Sequence, residues 1–245
     1  MKYLLDSHSH TIMSGHAYNT MQEMALAAKE KGLQALAITD HGPTIHGTCH
    51  PIYFTNFKVV DRFMYGIELL LGVELNIVDY QGNVDLPSNY LKRIDVGIAS
   101  IHPNVGNGEQ YPPYVPGDIK ENTRAYLGAI ENPDVDIIGH SGYVNCPYDY
   151  EKVARRAKEL HKLIEINAKT LADRKENIGN CREIALTCKR LGTGISVGSD
   201  AHFSMSVGDL SKVYEFLSEI DFPEELIISR NYKTLKEYFA VRKEI

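Results

Sequence analysis

The stretch Asp6-Ser-His-Ser-His10 sets an H-x-H directly behind a short apolar run, and the same event recurs along the chain. His16 follows closely. His41 lies in Ala-Ile-Thr-Asp-His-Gly, His102 in Ala-Ser-Ile-His-Pro, His140 in Ile-Ile-Gly-His and His202 in Gly-Ser-Asp-Ala-His. Glu74 and Asp200 occupy equivalent places, each just past an apolar run that ends in a turn. Imidazole and carboxylate are natural ligands of zinc, manganese and iron. Nine such groups exceed what one tetrahedral or octahedral ion can hold. The pattern points to a multinuclear metal-dependent hydrolase.

Around these motifs, short β-branched or leucine-rich runs alternate with segments of helical period. Strands are expected over residues 3–7, 35–39, 69–74, 94–100, 136–139, 163–167 and 194–198. Helices are expected near 20–31, 54–66, 119–131, 150–161, 178–191, 208–219 and 233–243. The first is well signalled. Thr20-Met-Gln-Glu23 is a capping box, and Gly32 supplies the C-terminal stop. Seven β-then-α units imply a parallel sheet with right-handed crossovers, closing into a distorted (β/α)7 TIM-like barrel. The ligand candidates lie at or just beyond the C-terminal ends of the first, second, third, fourth, fifth and seventh strands. In a parallel barrel that rim is where βα loops gather catalytic residues, so side chains far apart in sequence would meet in one cup. The Gly- and Pro-rich stretch 104–117 is a long loop of the kind that forms lids, and 227–229 is expected to add a short outer strand.

The chain has 245 residues, 43% hydrophobic and 24% charged, which fits one domain over 1–245 with a substantial core. A net charge of −6 leaves no electrostatic footprint for nucleic acid. No apolar stretch reaches 18 residues and no basic segment precedes an apolar one, so neither a membrane span nor a signal peptide is expected. Cys49, Cys146, Cys181 and Cys188 form no C-x-x-C pair, and Cys181 and Cys188 fall on the apolar face of an expected helix. A reducing, cytoplasmic location follows.

The ordered series H-S-H-T, S-G-H-A-Y, I-T-D-H-G, G-V-E-L-N-I, S-I-H-P, I-I-G-H, E-I-N and V-G-S-D-A-H resembles the PHP-domain (polymerase and histidinol phosphatase) phosphoesterases nearly end to end. The YcdX-like phosphatase branch is the nearest match, with His-Ala-Tyr, Arg174-Lys175 and Asp221-Phe-Pro also alike. One departure is Ser-Gly after His140, where the family pattern has Pro-Gly. The resemblance implies the PHP fold, a homo-oligomer and three divalent ions, zinc first, with manganese or iron as alternatives. One ion would take His8, His10, Glu74 and Asp200. A second would take Glu74, His102 and His140, with Glu74 bridging, and a third His16, His41 and His202.

The resemblance implies phosphomonoester hydrolysis, a reaction that two metals about 3.5–4 Å apart assist by clamping attacking and leaving oxygens. A hydroxide bridging the Glu74 pair would attack phosphorus, giving Glu74, Asp200 and His202 catalytic roles. Asp6 and Asp40 precede ligands and are expected to orient imidazoles. Asn167, Arg174 and Lys175 follow the one strand without a ligand and, with Tyr18 near the mouth, are expected to bind a small phosphorylated substrate. Two other readings share the metals: a PHP-type exonuclease or phosphodiesterase on nucleic acid, disfavoured by the acidic balance, and an amidohydrolase-like C–N hydrolase. The latter generally has eight strands and a bridging lysine, where this chain offers Glu74.

Overall fold

The computed structural model describes residues 3–102, 116–173 and 175–242. Its strands are β1 (Leu5–Asp6), β2 (Ala35–Ile38), β3 (Phe63–Met64), β4 (Ile67–Asn76), β5 (Val96–Ser100), β6 (Ile137–Ile138), β7 (Leu163–Asn167) and β8 (Ile195–Gly198). Seven of them run parallel in the order β1-β2-β4-β5-β6-β7-β8, and β3 pairs antiparallel with β4. Among the described residues the helices are α1 (Met21–Glu30), α2 (Ile52–Thr55), α3 (Ser88–Leu91), α4 (Ile119–Glu131), α5 (Tyr150–Glu159), α6 (Ala168–Asp173), α7 (Lys175–Leu191), α8 (Ser211–Glu219) and α9 (Tyr232–Arg242). The architecture is the expected α/β one, a sheet nearly closed as a TIM-like barrel.

Alternation along the strands separates two cores, because successive side chains leave a strand on opposite faces. Leu36, Ile38, Leu71, Val73, Ile138, Ile164 and Val197 pack with residues of the surrounding helices. Their neighbours Leu5, Ala35, Ala37, Leu70, Val96, Ile98, Ile137 and Leu163 form a second cluster with Ile228, Leu235 and Phe239. That cluster fills the barrel, and α9 closes its N-terminal end. Further along the strands the buried set turns polar, with Ser7, Glu74, Ser100, Glu165, Asn167 and Ser196 among its members. An apolar floor therefore carries a polar upper layer.

The seam between β1 and β8 shows where the distortion lies. Low in the barrel the turn Ile228–Arg230 wedges into it: Ile227 bridges Ile195, the Ser229 hydroxyl accepts from Val197 N at 2.7 Å, and Leu4 N donates to Arg230 O at 3.0 Å. Higher up, the H-x-H segment itself closes the ring. Asp200 N donates to His8 O at 2.9 Å and His10 N to Ala201 O at 2.8 Å, while Thr39 N donates to Ser9 O at 2.8 Å on the other side. Two tiers of ligand candidates are thus fixed by backbone bonds to strands on both sides.

Several boundaries differ from the sequence expectation. The helix expected over 54–66 is instead α2, a 3-10 turn (Asn56–Val59) and a hairpin from β3 into β4. Tyr65 and Gly66 both have positive φ (55° and 86°), the backbone a two-residue hairpin demands, and Gly66 supplies it without strain. The expected outer strand at 227–229 contributes one bridge and a 3-10 turn, because it plugs the seam rather than extending an edge. The capping box at Thr20 and Glu23 is present as read. Cys181 and Cys188 are buried in the core, and the long loop over 104–117 lies largely outside the described residues.

Candidate metal centre

Eight of the nine ligand candidates converge directly on Glu74 or on each other's ring nitrogens, and His16 joins through His202. Glu74 lies near the end of β4, fully buried, with Ser100 donating to its Oε1 at 2.7 Å. On that oxygen His140 Nε2 approaches to 2.7 Å and His102 Nε2 to 3.2 Å. On Oε2 stand His41 Nδ1 at 2.8 Å, His8 Nε2 at 3.3 Å and His10 Nε2 at 3.4 Å. Asp200 Oδ1 lies 3.2 Å from His10 Nε2, and His16 Nε2 lies 2.9 Å from His202 Nε2. Three sets bring their ligand atoms within 4.8 Å of one another: His8, His10 and Asp200; His41, Glu74 and His102; and His10, His41 and His202.

The surroundings fix which nitrogen each ring presents. His8 Nδ1 meets Glu165 Oε1 at 2.8 Å, a carboxylate oxygen that can only accept. His202 Nδ1 meets the Asp200 carbonyl at 2.9 Å. His10 Nδ1 meets Ser14 Oγ at 3.0 Å, and that hydroxyl already donates to Asp40 at 2.7 Å, so the ring must donate. All three rings therefore carry hydrogen on Nδ1 and aim Nε2 inward. The Nε2 atoms of His8 and His10 stand 3.1 Å apart, a separation bridged either by a proton on His8 or by a shared cation. Adjacent ligands on an ion bound at about 2.0–2.1 Å are spaced comparably.

Unmatched polar atoms make the same point. Within the cluster Glu74 Oε2, Asp200 Oδ1 and His41 Nδ1 are buried, and their close approaches to one another and to neighbouring rings lack hydrogen-bond geometry. Buried polar atoms of this kind cost free energy unless something satisfies them. Burial pushes Glu74 up, but the facing imidazoles, His8 foremost, hold it well below the usual carboxylate range; Asp200 behaves likewise. Burial lowers His8 and His140, yet Glu165 and Glu74 at the first and Glu74 at the second raise them above the ordinary imidazole value. Burial dominates at His10, His41 and His202, lowering the second to about 3 and the third to about 4. Ionised carboxylates facing imidazoles, with His10, His41 and His202 held neutral and His8 and His140 able to exchange a proton for a cation, form a donor set that fits divalent cations. Two of its members, Asp200 (φ 57°) and His140 (φ 22°), also carry left-handed backbone, a cost of about 1–3 kcal/mol each that concentrates at functional sites.

Behind the ring nitrogens stand two buried aspartates. Asp40 accepts from Thr11 N, Thr11 Oγ1, Ser14 Oγ and Tyr53 Oη at 2.7–2.8 Å, so it reaches His10 through Ser14. Among the described residues Asp6 makes no hydrogen bond to an imidazole ring. It accepts from Ser199 N, Ser199 Oγ and Gly208 N, and weakly from His8 N, so it shapes the backbone that carries Asp200. For Asp6, expected to orient a ring, the bonds seen are this tie across the seam.

The expected substrate-binding residues separate. Tyr18 is exposed, and its amide donates to His202 O at 3.1 Å, which places it at the mouth. Asn167 is buried, and its side-chain oxygen caps α6 by accepting from Thr170 N at 2.9 Å. Lys175 opens α7, exposed, with no bond to the cluster among the described residues; Arg174 lies outside them. Another cation stands at the cluster: Lys169 on α6, whose Nζ is 4.0 Å from Asp200 Oδ2. Sequence reasoning also missed Glu165, which alternation along β7 could have turned toward the ligands, and Ser14, hidden inside S-G-H-A-Y.

Comparison with known proteins identifies the family. The PHP domain family model matches residues 6–172. The chain belongs to the PHP-domain family. A protein named probable phosphatase from Clostridium novyi is 45% identical over 246 residues, covering all of this chain and 98% of that one. Another so named, from Acetivibrio thermocellus, is 42% identical over 244 residues with the same coverage. Among solved structures, the histidinol phosphate phosphatase of Lactococcus lactis, complexed with zinc, L-histidinol and phosphate, shares the fold at a TM-score of 0.63 and 20% identity, covering 91% of this chain and 95% of its own. For this PHP-domain chain, that likeness is one of fold.

Proposed function

We propose that this PHP-domain protein is a phosphatase that hydrolyses small phosphomonoesters at a centre of three divalent ions. Its relatives' names support the reaction class. The observation that carries the reading is Glu74: both oxygens buried, five imidazole nitrogens within 3.4 Å, and Oε2 without a hydrogen bond. Glu74, His102 and His140 would hold one ion. His8, His10 and Asp200 would hold a second that shares Glu74, and His16, His41 and His202 the third. His41 leans toward Glu74, so it stands between two of these positions. Zinc suits so many imidazoles, with manganese or iron as substitutes.

When bound, such ions supply positive charge to phosphoryl oxygens and lower the pKa of water, which makes an anionic phosphorus attackable near neutrality. The chain's residues set the conditions for this. Ser100 holds Glu74 in one rotamer, and Glu165, Ser14 and the Asp200 carbonyl fix three ring tautomers. The Lys169 ammonium at the rim offers charge-assisted bonds to a phosphate entering beside Asp200 and His202. The exposed mouth near Tyr18 suits a small substrate. Purified protein reloaded with zinc or manganese should hydrolyse p-nitrophenyl phosphate and a panel of small phosphomonoesters, and leave single-stranded DNA intact at low salt. Cleavage of DNA without phosphomonoesterase activity would favour a nuclease instead.

A further inference from the structure

β7 contributes no ligand to the nine, yet its Glu165 is the side chain that joins two of them. It is 3% exposed. Oε1 lies 2.8 Å from His8 Nδ1, and Oε2 accepts the backbone N–H of His140 at 2.7 Å. The barrel makes room for this carboxylate with a glycine: a Cβ on Gly198 would stand 2.7 Å from Glu165 Oε1 and 2.5 Å from His8 Cβ. His140, meanwhile, sits at φ 22°, a backbone state that needs outside support to persist.

From this geometry we infer that Glu165 is a positioning residue that sets two ion sites at once, through the ring of His8 and the backbone of His140. The inference rests on the metal-centre reading above. Its physical content is an asymmetry between the two partners. The His140 amide can only donate, so its bond demands an acceptor. The His8 ring can exchange its proton between nitrogens. Glutamate offers an acceptor to each; glutamine offers one acceptor and one donor. In Glu165→Gln the side-chain oxygen is claimed by His140 N–H, and the NH₂ faces His8 Nδ1. His8 then accepts at Nδ1 and carries its hydrogen on Nε2, the nitrogen that faces His10 and Glu74 and can no longer ligate. Glu165→Ala frees both partners. Glu165→Gln should therefore lose one ion selectively, and Glu165→Ala two, with affinity at the affected sites weakened about 10–100-fold.

The test counts metal per chain by plasma mass spectrometry after dialysis against a zinc series, for wild type, Glu165→Gln and Glu165→Ala, with circular dichroism to confirm folding. Long-range ¹H–¹⁵N spectra of wild-type protein report the His8 tautomer without any variant. Nδ1–H on His8 in wild type, with one equivalent lost in Glu165→Gln, supports the role. Folded Glu165→Gln with the wild-type zinc count and affinity overturns it, as does a wild-type His8 protonated on Nε2; the spectra decide alone should the variants not fold. A wild-type protein that takes up no metal would sink the metal-centre reading itself, and this inference with it.

Discussion

Removing the hydroxyl of Ser14 should weaken both the fold and the centre by amounts the structure sets. Ser14 is fully buried, its Oγ donating to Asp40 at 2.7 Å and accepting from His10 Nδ1 at 3.0 Å and His41 N at 3.2 Å. In Ser14→Ala, Asp40 Oδ1 keeps the Thr11 amide, but the His10 ring N–H and the His41 amide lose their acceptor. Each buried donor left unpaired costs about 1–3 kcal/mol. Two of them destabilise the protein by about 2–6 kcal/mol, or roughly 4–24 °C in Tm at about 2–4 °C per kcal/mol for a chain of this size. Alanine leaves little volume unfilled, so no large packing loss is added. The freed His10 ring also samples the tautomer that cannot ligate, and metal affinity should fall about 10–100-fold. Differential scanning calorimetry of chelator-treated protein reads the first effect, and competitive zinc titration the second. Wild-type zinc affinity in folded Ser14→Ala would refute the claim that the Asp40–Ser14–His10 chain orients the ligand.

Lys169→Met should lower kcat/KM for a phosphomonoester about ten- to hundredfold, the worth of a charged hydrogen bond, while metal content stays unchanged; an unaltered kcat/KM would remove Lys169 from the site. The metal-free protein should lose stability as pH falls from 6.5 toward 4. His41 and His202 titrate near 3 and 4 when folded but near 6.5 when unfolded. The unfolded chain then binds more protons in that window, and acid favours it. His8 and His140 are raised, so they act in the opposite sense only above 6.5. A Tm that held or rose between pH 6.5 and 4.5 in chelator would contradict this.

What the sequence made legible follows from how local each signal is. The H-x-H, Asp-His and Ser-Asp-Ala-His clusters sit at strand ends, and apolar runs mark strands strongly, so the barrel and its rim could be read together. The hairpin after β3 could not, because Phe63 and Met64 satisfy a helical pattern equally and only the Tyr65–Gly66 backbone decides. Glu165 and Lys169 were missed for a different reason. Each is defined by partners far away in sequence, His8 being 157 positions from Glu165, and no local motif announces such a pairing. Asn167, read as a substrate contact at the rim, uses its side-chain oxygen locally to cap α6, while its buried amide nitrogen makes no hydrogen bond.

The most direct measurement is metal stoichiometry and phosphomonoesterase activity on the same preparations of wild type and Glu74→Gln. Wild type should bind three divalent ions per chain and lose activity on chelation, regaining it with zinc or manganese. Glu74→Gln should bind fewer and turn over substrate at least about a hundredfold more slowly, as expected when charge stabilisation is removed from the reacting centre. Full metal content and full activity in Glu74→Gln would contradict the central role given to that carboxylate.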